Sequence, residues 1–193
     1  PLQISALTGQ WYESTEELLL ERTIALDALS VVMHPSNPLD TLAISAVVDV
    51  LTGRTSNWSA LGGQSGAINL YGLAADTELM VQVRSSVLGD ADARMRQYEV
   101  LDTPEALAEA VAADPQGFAV LYRSQQADLR PVELASVCRV YYGSSDFSIQ
   151  TQEYPFVVGW YLYARADEDL SDLASNLISF LQTNDGQDTL SSR

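Results

Sequence analysis

The sequence predicts an α/β protein with largely parallel sheets. Short apolar runs rich in β-branched residues alternate along the chain with segments whose apolar residues recur at helical spacing. The composition, 47% hydrophobic and 19% charged over 193 residues, provides a core for one large or two small globular domains. Strands that alternate with helices are typical of sheets in which the strands run parallel.

Six segments predict strands and four predict helices. The predicted strands are 23–34, 67–71, 97–101, 118–122, 132–140 and 156–164. The predicted helices are 42–51, 76–88, 103–113 and a terminal helix with Leu173, Leu177, Ile178 and Leu181 on one side.

Proline, glycine and threonine residues at characteristic positions indicate where several of these strands and helices begin or end. Pro35 ends the long β-branched run that predicts the first buried strand. Gly53 and Gly89 stand just after helical stripes, where glycine is favoured. Thr103 followed by Pro104 is the cap-then-proline pattern of a helix start.

The charge balance excludes some partners. Ten basic residues, all of them arginine, stand against 26 acidic ones, which gives a net charge of −16. Such a surface repels phosphate backbones and anionic lipid, so we expect no nucleic-acid partner. No apolar run approaches the roughly 18 to 20 residues that a membrane span needs, so we expect no direct membrane insertion.

The residues that usually carry catalysis are scarce, and we expect no enzyme, no cofactor and no metal site. His34 is the only histidine and Cys138 the only cysteine, and neither stands in a nucleophile motif. Cys138 lies in the apolar run 132–140, which predicts a buried thiol. The acidic run from Ala166 to Asp172 lacks the spacing of a calcium loop and is typical of the first turn of a helix.

Several segments together resemble one family. The segments that carry the likeness are 24–38, 51–63, 110–118, 154–156 and 180–187. They resemble, in order, the phosphate-type solute-binding proteins of ABC uptake systems. The most specific of them is the turn that runs from Thr52 to Trp58.

This resemblance implies a two-lobed type II periplasmic-binding-protein fold that closes on an oxyanion. It implies remnants of lobe 1 at 1–25, lobe 2 at 26–129, and a return to lobe 1 with the C-terminal helix at 130–193. In the family, an opening unit precedes the segment that Pro1 and Leu2 resemble, so the first lobe is expected to be either incomplete or completed by sequence outside these 193 residues. The resemblance also implies a periplasmic or otherwise extracytoplasmic location and a membrane permease or envelope protein as partner.

The anion-binding segment departs from the family pattern. An ungapped match places Leu73 at a family arginine and Thr77-Glu78-Leu79 at a family Ser-Gly-Thr triplet. The carboxylates of Asp76 and Glu78 would repel an anion at this point. We therefore expect weak or no phosphate binding, unless the match has slipped and Arg84 supplies the missing charge.

The ligand-binding residues predicted on this basis are Tyr71, Thr77 and Glu78, around a neutral or cationic solute. Two functions remain open at this stage. One is a solute-binding domain that serves a transporter. The other is a degenerate relative that acts as a protein-interaction or sensor module in the cell envelope.

Overall fold

The computed structural model describes residues 3–5, 19–165, 172–183, 185, 186 and 189. The chain divides into two compact units, Pro1–Asp27 with Val158–Arg193, and Ala28–Val157. The second unit starts near the boundary expected at 26 and continues past the end expected at 129. Among the described residues, no helix has the length and apolar character to cross a membrane.

The described part of the chain forms strands and helices with the following bounds. The strands are β1 (Gln3–Ser5), β2 (Leu19–Met33), β3 (Thr41–Ala43), β4 (Asn69–Gly72), β5 (Glu99–Val100), β6 (Gly117–Tyr122), β7 (Glu133–Ala135), β8 (Tyr141–Tyr142) and β9 (Val157–Arg165). The helices are α1 (Ile44–Thr52), α2 (Glu78–Gln82), α3 (Pro104–Ala113), α4 (Asp146–Gln150) and α5 (Asp172–Leu181). A π-helical turn (Val83–Val87) follows α2, and 3₁₀ turns occupy Trp58–Leu61 and Arg123–Gln125.

The sheets of the unit 28–157 are mixed, so the prediction of largely parallel sheets was wrong. β4 pairs in parallel with both β5 and β6, but β2 pairs antiparallel with β6, with Met33 opposite Phe118. A second sheet has the order β3-β7-β8, with β7 parallel to β3 and antiparallel to β8. The direction of pairing depends on contacts between residues far apart in sequence, which periodicity does not report.

The core of this unit follows the predicted apolar faces. Every residue of β6 is buried, as expected for a strand covered on both faces. Val47, Val50 and Leu51 of α1 are buried, and Gly53 ends that helix with a φ of 82°. Thr103 caps α3 by accepting a hydrogen bond from the Ala106 N–H at 3.2 Å. The end of α1 and the start of α3 are confirmed, whereas the predicted start of α1 at residue 42 was wrong, because residues 41–43 form β3.

The unit formed by the two ends of the chain holds a smaller core. β1 pairs antiparallel with β9, with Ile4 opposite Leu162. Ile24 and Leu181 are buried together, and Trp160 and Ile178 pack against them. The apolar side of α5 is confirmed at Ile178 and Leu181, whereas Leu177 is 41% exposed. The side chain of Leu173 lies outside the described ones.

The predicted strand 132–140 is correct only at 133–135, which form β7, and wrong beyond them. β7 ends at Ala135, and the chain then turns, with the Val140 carbonyl accepting a hydrogen bond from the Ser136 N–H at 2.9 Å. Arg139 adopts a φ of 59°, which no strand accommodates. Cys138 therefore lies exposed at the tip of a β7–β8 hairpin, and the prediction that its thiol is buried was also wrong.

The turn from Thr52 to Trp58, on which the resemblance to the solute-binding family most depends, stabilises the fold through hydrogen bonds and burial. The Asn57 side-chain oxygen accepts hydrogen bonds from the Ser59 N–H at 3.0 Å and the Gly66 N–H at 3.3 Å. Trp58 is 2% exposed, and its indole N–H donates to the Gln116 carbonyl at 3.2 Å. The motif thus fixes the approach to β4 and β6.

Candidate functional site

The loop between β4 and α2 occupies the position of the predicted anion-binding segment. Leu73, at its start, is only 5% exposed and belongs to the core. The Thr77 hydroxyl donates a hydrogen bond to the Ala74 carbonyl at 2.7 Å, and the Thr77 N–H donates to the same oxygen at 3.0 Å. The Thr77 hydroxyl is therefore engaged within its own loop.

The start of α2 carries negative charge and apolar bulk. Glu78 is partly buried in the first turn of α2, and Asp76 is exposed just before it. Leu79 is 3% exposed and packs into the core. α2 begins at residue 78 and not at the predicted 76, because residues 74–77 form a separate hydrogen-bonded turn.

Arg84 lies beside this loop and binds backbone. Its Nε donates to the Ala91 carbonyl at 2.6 Å, and one of its terminal nitrogens donates to the Ala75 carbonyl at 2.8 Å. The guanidinium thus connects the loop to the segment that follows Gly89. These two contacts fix the side chain in place and use part of its donor capacity.

Tyr71 contributes to a different cluster. Its hydroxyl donates to the Asp114 carboxylate at 3.0 Å, and the Asn69 amide donates to the same oxygen at 2.7 Å. The Gln116 N–H donates to the other oxygen of Asp114 at 2.9 Å. The structure thus ties Tyr71 to Asp114, while Thr77 bonds within its own loop.

This cluster perturbs the acidities of both partners. Burial, the hydrogen bond to Asp114 and the charges of Asp114 and Glu99 raise the pKa of Tyr71 to about 12. Burial alone would raise the pKa of Asp114, but the hydrogen bonds from Asn69, the Gln116 N–H and Tyr71 lower it below its usual value, assisted by His34. Asp114 is therefore a carboxylate held in place by three donors.

His34 has a local partner as well. Its Nδ1 accepts a hydrogen bond from the Ser36 N–H at 3.0 Å and lies 2.7 Å from the Ser36 hydroxyl. This places the ring at the turn that follows β2. Among the described residues, no group of three or more histidine, cysteine or acidic side chains has a geometry able to hold a metal ion. The acidic run 166–171 lies outside the described residues.

An open cavity adjoins Tyr71 along the edge of the sheet. It is a groove of about 460 Å³ that opens widely to solvent, and it is lined by residues 69–71 of β4 and by residues 96–99. Tyr71 lies opposite Glu99 in the parallel pair of β4 and β5. The sequence placed a strand at 97–101 but gave no sign that its side chains share a cavity with Tyr71.

Solved structures with the same architecture cover almost the whole chain. An ABC-type phosphate transport receptor from Vibrio cholerae superposes with a TM-score of 0.80 over 99% of this chain and 77% of that chain, at 14% identity. A putative phosphate ABC transporter substrate-binding protein from Clostridium perfringens, solved with bound phosphate, gives 0.80 over 99% and 76%, at 17% identity. The chain has the fold of phosphate-type substrate-binding proteins. This confirms the predicted α/β class and, at the level of the fold, the resemblance found in the sequence.

The same architecture also occurs in a regulator. The regulatory domain of CcmR from Synechocystis PCC6803, in complex with 2-PG, superposes with a TM-score of 0.53 over 93% of this chain and 71% of that chain, at 18% identity. No protein-family model matches the sequence, and no curated protein matches it. The phosphate-type substrate-binding fold is thus established by structure at low sequence identity.

Proposed function

We propose that this chain is an extracytoplasmic solute-binding domain of the phosphate type that binds inorganic phosphate weakly or not at all. It is not an enzyme, and it serves a membrane permease or another envelope protein. The observation that carries the proposal is the loop between β4 and α2. This loop combines a buried leucine, two carboxylates and a hydroxyl bonded to its own backbone.

Electrostatics disfavour phosphate at this loop. A unit charge on phosphate about 4 Å from the Glu78 carboxylate would meet a repulsion of about 4 kcal/mol at an effective dielectric of 20. Removing phosphate from water costs several kcal/mol more unless donors replace the water. Leu73 offers no donor, and the Thr77 hydroxyl already donates to Ala74. A neutral or cationic solute avoids the repulsion.

A second candidate is a sensor or protein-interaction module in the cell envelope. The similarity to the CcmR regulatory domain supports a sensor role for this architecture. Exposed apolar side chains support a contact role, since Val137 is 97% exposed, Tyr141 60% and Phe147 70%. A partner that binds through these side chains, in the absence of any solute, would favour this second function.

Calorimetric titration with phosphate at low salt tests the first proposal. It should use the longest gene product that contains this chain, and we expect no binding tighter than about 1 mM, which corresponds to roughly 4 kcal/mol. Micromolar phosphate binding would contradict the proposal.

A matched pair of variants tests the role assigned to the loop. Glu78→Gln removes the carboxylate from the first turn of α2, and Glu105→Gln makes the same change in the first turn of α3. We expect the first variant alone to increase any residual phosphate affinity. An equal response of both variants would indicate that only the overall charge matters.

A further inference from the structure

Arg84 connects the two segments that flank α2 and the π-helical turn. The first segment, 73–77, leads from β4 into α2, and the second segment, 88–93, follows the π-helical turn. The Arg84 side chain donates to the Ala75 carbonyl of the first segment at 2.8 Å and to the Ala91 carbonyl of the second at 2.6 Å. A single guanidinium therefore holds the backbone on both sides of this helical element.

The backbone of Arg84 contributes to the same connection. Its carbonyl accepts hydrogen bonds from the Leu88 N–H at 3.1 Å and from the Asp90 N–H at 3.2 Å. Arg84 belongs to the π-helical turn, and such turns are rare and often lie at functional sites. Because both the side chain and the carbonyl of Arg84 hold the second segment, a movement of Arg84 also displaces that segment.

The chemistry of arginine suits a connection of this kind. Both acceptors are neutral carbonyls, although Asp76 and Asp90 lie in the same two segments. A hydrogen bond from an ionised donor is about twice as strong as one between neutral groups. The guanidinium is planar and presents its N–H groups in a rigid fork, so it fixes two acceptors relative to each other, which the single ammonium group of lysine does not.

The ring of Tyr98 packs at the start of the first segment. A Cβ at Gly72, the last residue of β4, would lie 2.9 Å from Cε2 of Tyr98 and 3.3 Å from Cε of Met80. Burial raises the pKa of Tyr98, and the positive charge of Arg84 opposes that rise. The first segment is therefore held at its start by the ring of Tyr98 and further along by Arg84.

We propose that Arg84 is a positioning residue that couples the two segments, so that a structural change at 73–77 is transmitted to 88–93. Two segments bonded to one rigid group open together, whereas separately held segments open independently. The second segment then reports the state of the loop between β4 and α2. That a solute causes the change rests on the proposed function, but the coupling is a property of the free protein and is tested without any solute.

Amide hydrogen exchange in the longest gene product that contains this chain tests the coupling. The probes are the Thr77 N–H, which donates to the Ala74 carbonyl at 3.0 Å, and the Ala93 N–H, which donates to the Asp90 carbonyl at 3.0 Å. Arg84→Gln should accelerate the exchange of both probes by roughly tenfold or more. The control Arg54→Gln, which removes an exposed ion pair, should change neither probe. Acceleration of only one probe, or of neither, would overturn the proposal.

A double-mutant cycle tests whether the change passes through Arg84. Thr77→Val removes the hydroxyl that donates to the Ala74 carbonyl and so perturbs only the first segment. It should accelerate exchange of the Ala93 N–H several-fold in the parent and have no further effect in the Arg84→Gln background. Equal effects in both backgrounds, or no effect in the parent, would overturn the proposal, because the change would then bypass Arg84 or not be transmitted at all.

A second substitution keeps the test decisive if Arg84→Gln fails to fold. Arg84→Lys retains the positive charge but lacks the fork, so it should also accelerate exchange of both probes, and unchanged exchange in Arg84→Lys would overturn the role given to the fork. Circular dichroism checks the fold of each variant. Phosphate titration of the parent reads the proposed function separately, because that proposal concerns phosphate affinity and does not depend on the exchange rates.

Discussion

The contact between Tyr71 and Asp114 provides the sharpest test of the structure. Tyr71→Phe removes one hydroxyl, which donates to the Asp114 carboxylate at 3.0 Å, and leaves the ring in place. Hydrogen bonds to charged groups contribute about 1.5 to 3 kcal/mol. The contact is only partly buried, and Asp114 keeps its bonds from Asn69 and Gln116, so we expect a loss of about 1 kcal/mol in the free energy of unfolding.

Urea unfolding at pH 7, analysed as a double-mutant cycle, measures this contribution. The cycle combines Tyr71→Phe with Asp114→Ala, and we expect a coupling free energy of about 1 kcal/mol. Tyr141→Phe is the matched control, because Tyr141 is 60% exposed. That control should change the stability by less than about 0.5 kcal/mol. A coupling indistinguishable from zero would refute the assignment of Tyr71 as a donor to Asp114.

The pH dependence provides an independent check. Because the pKa of Asp114 is lowered in the folded state, its stabilising contribution is present above the unfolded pKa and is lost as the pH falls through the folded value. Because the pKa of Tyr71 is raised to about 12, its contribution is present below pH 10 and is lost between pH 10 and 12. Tyr71→Phe should therefore flatten the stability profile between pH 10 and 12. A profile identical to that of the parent would contradict this.

Three further predictions concern the fold. Cys138 should react with a thiol reagent in the folded protein at nearly the rate seen in urea, because the structure exposes it, and strong protection would contradict the hairpin. Gly53→Ala should destabilise the protein by about 1 to 2 kcal/mol in urea unfolding, because its φ is 82°, whereas Gly143→Ala, which meets no atom closer than 3.9 Å, should not. Trp58→Ala should lower the free energy of unfolding by about 3 to 5 kcal/mol, because Trp58 is only 2% exposed. Phe147→Ala should lower it much less, because Phe147 is 70% exposed, and similar losses in the two variants would refute this difference in burial.

The sequence predicted elements whose signals are local. The cap at Thr103 and the left-handed Gly53 act within a few residues, so the start of α3 and the end of α1 were predicted correctly. The antiparallel pairing of β2 with β6 was missed because it joins residues such as Met33 and Phe118 across most of the unit. A pattern of apolar residues shows that a strand is buried, but it does not show which neighbour it pairs with or in which direction.

The hairpin shows a second limit of periodicity. The run from Val132 to Val140 is apolar enough for a strand, yet Arg139 adopts a left-handed conformation and Val137 is 97% exposed. Arginine carries no turn signal of the kind that glycine or asparagine provides. Cys138 is exposed because it lies in that turn. The sequence did not indicate the turn, so the thiol was wrongly predicted to be buried.

The sequence predicted the members of a candidate site, and the structure shows contacts of these residues that the sequence did not indicate. The resemblance pointed to the loop that contains Thr77 and Glu78, and Tyr71 was assigned to the same ligand. The structure gives Tyr71 a partner 43 residues away, Asp114, whose sequence context signalled only the end of a helix. The position of Tyr71 opposite Glu99 likewise follows only from the register of β4 and β5.

The burial of Leu73 bears on the proposal that this loop does not bind phosphate. If this position were exposed, restoring an arginine would cost little, but Leu73 is 5% exposed, so Leu73→Arg would remove core packing and bury a charge. The loop also satisfies its own polar groups, with Thr77 bonded to Ala74 and Arg84 bonded to the Ala75 and Ala91 carbonyls. A loop with these internal bonds needs no ligand to hold its conformation, and phosphate would have to break some of them to enter. If the proposal holds, we expect that no single substitution in this loop, Leu73→Arg included, creates a phosphate site.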